Sequence, residues 1–117
     1  MEMRSYAFDV WVRDSAFLTD SEAIVSLFQV AAKAGGATVL GETSHTFPNG
    51  AVTAVLVLAQ SHLSIHTWPE YNLVNIDLFT YGQVKAELIL AELEARLAPV
   101  RRNLTCLVRA VPDALPE

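Results

Sequence analysis

Ser61-His62-Leu63-Ser64-Ile65-His66-Thr67-Trp68-Pro69-Glu70 is the stretch on which the reading of the chain turns. Leu63 and Ile65 alternate with polar neighbours, the period-two signature of a strand with one buried face, and Pro69 ends it. The apolar run Ala51 to Ala59 before it predicts another strand. After Pro69 the alternation resumes, with Val74, Ile76 and Leu78 set against Asn75 and Asp77 as far as Thr80. Consecutive strands with hairpin-length connections point to antiparallel pairing. A core does not explain the rest of the stretch, which gathers serines, histidines, a threonine, a tryptophan and a glutamate.

Towards the N-terminus, Tyr6, Phe8, Val10 and Val12 alternate with Ala7, Asp9, Trp11 and Arg13, so Asp9 and Trp11 share the face away from the core. Thr19-Asp20-Ser21-Glu22 offers a capping-box start for a helix carrying Ile24, Leu27, Phe28 and Ala31, and Gly35-Gly36 stops it. Ala37 to Leu40 and Thr43 to Phe47 read as an interrupted strand, and Pro48-Asn49-Gly50 as a turn. Towards the C-terminus, Gln83 to Leu97 predicts a helix with Ala86, Leu90, Leu93 and Leu97 on one stripe, ended by Pro99. Asn103 to Val111 is a last strand and Pro112 to Glu117 a tail. The order β-α-β-β-β-β-α-β predicts an α+β, two-layer αβ sandwich, a mostly antiparallel sheet covered by two helices.

With 117 residues, 52% of them apolar and 18% charged, one globular domain over residues 1–117 is expected. The net charge of −5 and the lack of a basic stripe argue against nucleic acid and mildly favour a cationic small substrate. Cys106 is the only cysteine, so no intrachain disulfide forms. The N-terminus lacks a signal-peptide core, and the longest apolar stretch, Ala54 to Ala59, is too short to span a bilayer, so a cytoplasmic, non-membrane protein is expected.

His62 and His66 have the spacing of two metal ligands on one helix face, but on a strand they lie roughly 13 Å apart at about 3.3 Å per residue. No Cys-x-x-Cys or His-Glu-x-x-His pattern is present, so no metal is expected. No Gly-x-Ser-x-Gly elbow supports a serine hydrolase. Taken alone, the two histidines fit hydrogen-bonded structural residues on a half-exposed strand.

The residues around them suggest otherwise. Gln60 to Tyr71 resembles, almost residue for residue, the processing segment of the prokaryotic S-adenosylmethionine decarboxylase proenzymes. Asn75-Ile76-Asp77-Leu78-Phe79-Thr80-Tyr81-Gly82 looks like the family's second block, and His45 to Gly50 like the turn before its cleavage strand. The resemblance implies autocatalytic cleavage between Gln60 and Ser61, giving a β chain of residues 1–60 and an α chain of residues 61–117 that begins with a pyruvoyl group, the covalent cofactor. That carbonyl captures the substrate amine as a Schiff base and draws off the electrons released with carbon dioxide, as pyridoxal phosphate would. By matching position, His66 assists proton transfers during processing, Glu70 holds substrate hydroxyls, and Phe47 and Trp68 belong to the substrate site. Ser61 and His66 fall on opposite faces of a straight strand, roughly 16 Å apart. They meet only if the chain bends or a second copy supplies one of them, and the family's symmetric dimers imply a homodimer with the site at or near the interface.

The chain also departs from the family. Gln60 stands where glutamate is usual, Thr53 where a processing serine stands, and Tyr81 where a cysteine serves as the acid of the decarboxylation. A phenol with pKa near 10 can donate a proton, with different reach from a thiol near 8.5. Cys106, within the alternation Leu104-Cys106-Val108, is expected to be a buried structural thiol. Beside S-adenosylmethionine decarboxylation in polyamine (spermidine) synthesis, two readings stay open: a pyruvoyl-dependent decarboxylase of arginine, ornithine or another amino acid, and an uncleaved, non-catalytic paralogue.

Overall fold

The computed structural model describes residues 2–110, so Val111 of the last expected strand and the tail Pro112 to Glu117 lie outside the described residues. The elements run β1 (Arg4–Trp11), α1 (Ser21–Ala34), β2 (Val39–Thr46), β3 (Val52–Leu58), β4 (Ser61–Trp68), β5 (Leu73–Thr80), α2 (Ala86–Leu97) and β6 (Arg101–Val108), with short 3-10 turns at Phe17–Thr19 and Pro69–Tyr71. The six strands form one sheet in the order β2-β3-β4-β5-β1-β6, and every neighbouring pair is antiparallel. This is the expected two-layer α+β architecture.

Alternation sets the two faces. Phe8 and Val10 from β1, Val52 to Leu58 in steps of two from β3, Leu63 and Ile65 from β4, and Val74, Ile76 and Leu78 from β5 point to the helix side and are buried. They meet Ile24, Phe28, Ala31 and Ala32 of α1 and Ile89, Leu93 and Leu97 of α2. Each fully buried aliphatic or aromatic side chain contributes about 1.5–3 kcal/mol, so this layer carries the fold. Gly35, where α1 ends, permits the two helices to approach: a Cβ there would collide with Ile89 and the Lys85 carbonyl. Among the described residues, no helix lies over the other face of the sheet.

Several sequence expectations are adjusted. The N-cap of α1 is Asp20, whose carboxylate accepts from the Ala23 N–H at 3.1 Å, while the Thr19 hydroxyl turns back to the Ala16 carbonyl, so no Thr19–Glu22 capping box forms. The interrupted strand is continuous, with an irregularity between Val39 and Gly41. Helix α2 starts at Ala86 rather than Gln83, after an N-cap, Lys85, that offers no capping side chain. Cys106 is exposed, not buried. It lies on β6, an edge strand exposed along its whole length, where alternation persists without a covering layer.

Candidate active site

The residues singled out by sequence gather at the two ends of β4. Ser61 opens the strand directly after the turn Ala59–Gln60 that folds it back on β3, with Leu58 facing Ser61. Gln60 adopts φ +60, the left-handed region that a residue with a side chain occupies at a cost of roughly 1–2 kcal/mol. Ser61 points to the helix side and is 9% exposed, and its Oγ is the buried side-chain polar atom without a hydrogen-bond partner among the described residues. Extending the pairing His62↔Phe79 by one step sets Thr80 beside Ser61 and brings Tyr81 and Gly82 to the same end of the sheet. Gln60 Oε1 lies against Gly82, 3.0 Å from where a Cβ would stand, so only glycine seats it without displacement.

At the other end, on the open face, stands His66. Cross-strand pairing puts it opposite Thr53, and the two share a hydrogen bond of 2.5 Å between Thr53 Oγ1 and His66 Nδ1. The imidazole packs against the Trp68 indole, with centroids 4.4 Å apart, and against Phe47 at 5.9 Å. Phe47, Asn49, Ala51, His66 and Trp68 line an open recess of about 240 Å³. Glu70, just past the strand, accepts from Asn49 Nδ2 at 3.2 Å, while Asn49 Oδ1 accepts the Ala51 N–H. The arrangement can offer aromatic side chains to a flat ring in the recess, a carboxylate to hydroxyl groups, and an imidazole to move a proton.

The chain thus unites Gln60, Ser61 and Tyr81 in one group, and Phe47, Thr53, His66, Trp68 and Glu70 in another. It does bend before Ser61, but the bend is a hairpin that sets Thr53 and Ser61 on opposite faces. Five residues of strand, roughly 16 Å, still separate Ser61 from His66. His62 stacks on Phe79 with an interplanar angle of 13° and centroids 5.6 Å apart, a structural role. Cys106 lies opposite Tyr6 on β6, three strands from β4 and so about 14 Å across the sheet from the Ser61 group. Burial pushes the Tyr6 phenol above its ordinary pKa, the adjacent Cys106 adds to the rise, and Arg4 opposes it. No group of three or more metal-ligating side chains converges among the described residues.

Sequence reasoning passed over Asn49, Asn75 and the role of Asp9. Asn75 donates to Asp9 Oδ1 at 2.8 Å and accepts from Trp68 Nε1 at 2.6 Å. Asn49 was legible only as a turn residue. The available signal for the other pair was polar residues at outward positions of two alternating strands, β1 and β5.

A family model described as S-adenosylmethionine decarboxylase matches residues 4–110. An S-adenosylmethionine decarboxylase proenzyme from Methanococcus maripaludis is 38% identical over 106 residues, spanning 90% of this chain and 87% of that protein. One from Prochlorococcus marinus is 39% identical over 103 residues, spanning 87% and 82%. The crystal structure of the adenosylmethionine decarboxylase from Aquifex aeolicus matches with a TM-score of 0.87 at 26% identity, covering 99% of this chain and 97% of that one.

Proposed function

The chain belongs to the S-adenosylmethionine decarboxylase family, whose members are pyruvoyl-dependent carboxy-lyases, and we propose that it is a proenzyme that splits itself between Gln60 and Ser61, forms a pyruvoyl group at position 61 and decarboxylates S-adenosylmethionine for polyamine (spermidine) synthesis in the cytoplasm. The observation that carries this reading is the Ser61 hydroxyl, buried and without a partner among the described residues, directly after a left-handed residue. An orphaned buried hydroxyl costs about 1–3 kcal/mol, and a core serine with no chemistry to do gains nothing from it. The site therefore fits a group made from Ser61 itself.

In the proposed cleavage, Ser61 Oγ adds to the Gln60 carbonyl carbon and gives its proton to a base. The C–N bond breaks as the nitrogen takes up a proton, leaving an ester. Loss of the Ser61 Cα proton then expels the Gln60 carboxylate, and water converts the resulting dehydroalanine to pyruvoyl and ammonia. The sheet order keeps the products together: residues 1–60 supply β1, and β1 lies between β5 and β6 of residues 61–117. Once formed, the pyruvoyl group supplies an electron-withdrawing carbonyl for the charge left by a departing carboxylate.

Thr53 and His66 move protons during cleavage, with Nδ1 held by Thr53 and Nε2 the free nitrogen. They act on the Ser61 of a second copy: a homodimer that lays open face on open face brings the Gln60–Ser61 turn of one protomer to the His66 end of the other. The Ser61 hydroxyl, which rests on the helix side, turns towards the interface within that hairpin to react. Phe47 and Trp68 flank the flat part of a cationic substrate, Glu70 accepts from its hydroxyls, and Tyr81, at the same end of the sheet as Ser61, donates the proton that replaces carbon dioxide. Tyr81→Phe should then lower turnover about a hundredfold with cleavage intact, and Tyr81→Cys should raise it. Unchanged turnover in both removes Tyr81 from the reaction.

Intact mass of the purified protein tests the core of the reading: two fragments are expected, and one chain after Ser61→Ala. A single uncleaved species, stable for days, overturns it in favour of a non-catalytic paralogue. Carbon dioxide release from S-adenosylmethionine, arginine and ornithine then assigns the substrate. Release from arginine or ornithine alone shifts it to a basic amino acid, the alternative raised by the changed residues Thr53, Gln60 and Tyr81.

A further inference from the structure

Thr53, His66, Asn75 and Asp9 form a single row across the open face, on β3, β4, β5 and β1, because each is the register partner of the next. Trp68, two residues along β4, reaches back diagonally to the same row. Indole Nε1–H can only donate and a carboxylate can only accept, so the Asn75 amide between them has one allowed orientation: oxygen to Trp68, nitrogen to Asp9. The amide cannot flip without losing both bonds. The indole it pins is the one lying on the His66 imidazole. Thr53 holds the ring at Nδ1 and Trp68 holds its face.

We propose that Asp9 and Asn75 are positioning residues that lock the Trp68 indole, and through it fix the ring orientation of His66 for proton transfer. The claim rests on the processing role given to His66 above. Asp9 is the anchor: half-buried, on the interior strand β1 between β5 and β6, and hydrogen-bonded through Asn75 alone among the described residues. A network of this kind has a swap that a generic packing role lacks. Asn75→Asp sets one carboxylate against another. The exchange variant Asp9→Asn with Asn75→Asp trades donor for acceptor and rebuilds both hydrogen bonds with the net charge of the natural pair.

The test follows self-cleavage of freshly synthesised full-length chain. Asn75→Asp should be about tenfold slower, and the exchange variant should return to within about threefold of the natural rate, a coupling within the usual range for directly bonded pairs. In parallel, ring resonances of His66 in the uncleaved Ser61→Ala chain should move in Asn75→Asp and return in the exchange variant. An exchange variant as slow as Asn75→Asp, or His66 resonances that stay put in Asn75→Asp, overturns the proposal. His66→Ala separates this from failure of the underlying reading. If it cleaves at the natural rate, His66 has no processing role and the cleavage part of the proposal falls with it. The resonances still decide whether Asp9 and Asn75 hold the ring.

Discussion

Thr67 and Ser61 point to the same side of the same strand, both buried, and their hydroxyls are treated in opposite ways. Thr67 Oγ1 donates to the Leu18 carbonyl at 2.7 Å and accepts from the Val52 N–H at 2.9 Å, tying β4 to β3 and to the turn before α1. Ser61 Oγ has no partner among the described residues. The environment differs as sharply on the open face: His66, beside Thr67, is held by Thr53, Trp68 and Phe47. One end of β4 is satisfied and rigidly placed. The other combines an orphaned nucleophile with a left-handed peptide at the bond proposed to break. A strand that spends its polar contacts at one end and withholds them at the other separates the group that must react from the groups that must hold.

That separation predicts complementation. His66→Ala alone should slow cleavage by about a hundred- to ten-thousandfold, and Ser61→Ala should abolish it. In a hybrid dimer of the two, carrying different tags, the His66→Ala chain keeps its serine and faces an intact His66 across the interface. It should split while the Ser61→Ala chain stays whole. A His66→Ala chain that remains whole in the isolated hybrid rejects the shared site. The hydroxyls themselves come next in size. Thr67→Val leaves both the Leu18 carbonyl and the Val52 N–H unpaired and should cost about 2–4 kcal/mol. Against the slow-cleaving His66→Ala chain as reference, adding Ser61→Ala should cost nothing or stabilise. Equal destabilisation by the two changes in denaturant melts would erase the contrast. At the substrate end, Glu70→Gln should raise KM about tenfold with kcat nearly unchanged, and Asn49→Ala, which frees Glu70, less. A fall in kcat at constant KM would move Glu70 from binding to chemistry.

Much of this arrangement was legible in the sequence. Period-two alternation placed β1, β3, β4 and β5 and assigned their faces, and it already set Ser61 and His66 on opposite sides. Alternation cannot tell a central strand from an edge strand, so it gave no hint that Cys106 is exposed. The hairpin-length connection at Ala59–Gln60 was legible, but its left-handed residue was not, because turns with positive φ are signalled by glycine or asparagine and here a glutamine bears the strain. The Asp9–Asn75–Trp68 chain joins residues on three segments, and no local pattern records a contact that only register creates. Among the described residues, three other than glycine take positive φ, Asn72 and Ala98 where elements end and Gln60 at the proposed cleavage point, and only Gln60 is followed by an orphaned buried hydroxyl.

The strain at Gln60 leads to the smallest effect and the most direct probe of why the Ser61 end is built as it is. In the uncleaved Ser61→Ala chain, Gln60→Gly should relieve part of the roughly 1–2 kcal/mol held by φ +60. The greater freedom of glycine in the unfolded chain offsets about 0.4–1 kcal/mol of that. A net gain of about 0.5 kcal/mol is expected, a rise in melting temperature of about 2–4 °C. With Ser61 intact, the same change lowers the ground state from which cleavage starts, so splitting should slow by about two- to threefold. Loss of the Gln60 side chain from its seat on Gly82 could slow cleavage as well, and Gln60→Asn controls for it: asparagine tolerates the left-handed conformation and keeps an amide. Slower cleavage and a higher melting temperature in both variants tie the reaction to backbone strain. Slower cleavage in Gln60→Gly alone assigns the effect to the side chain, and the strained peptide then has no part in the chemistry.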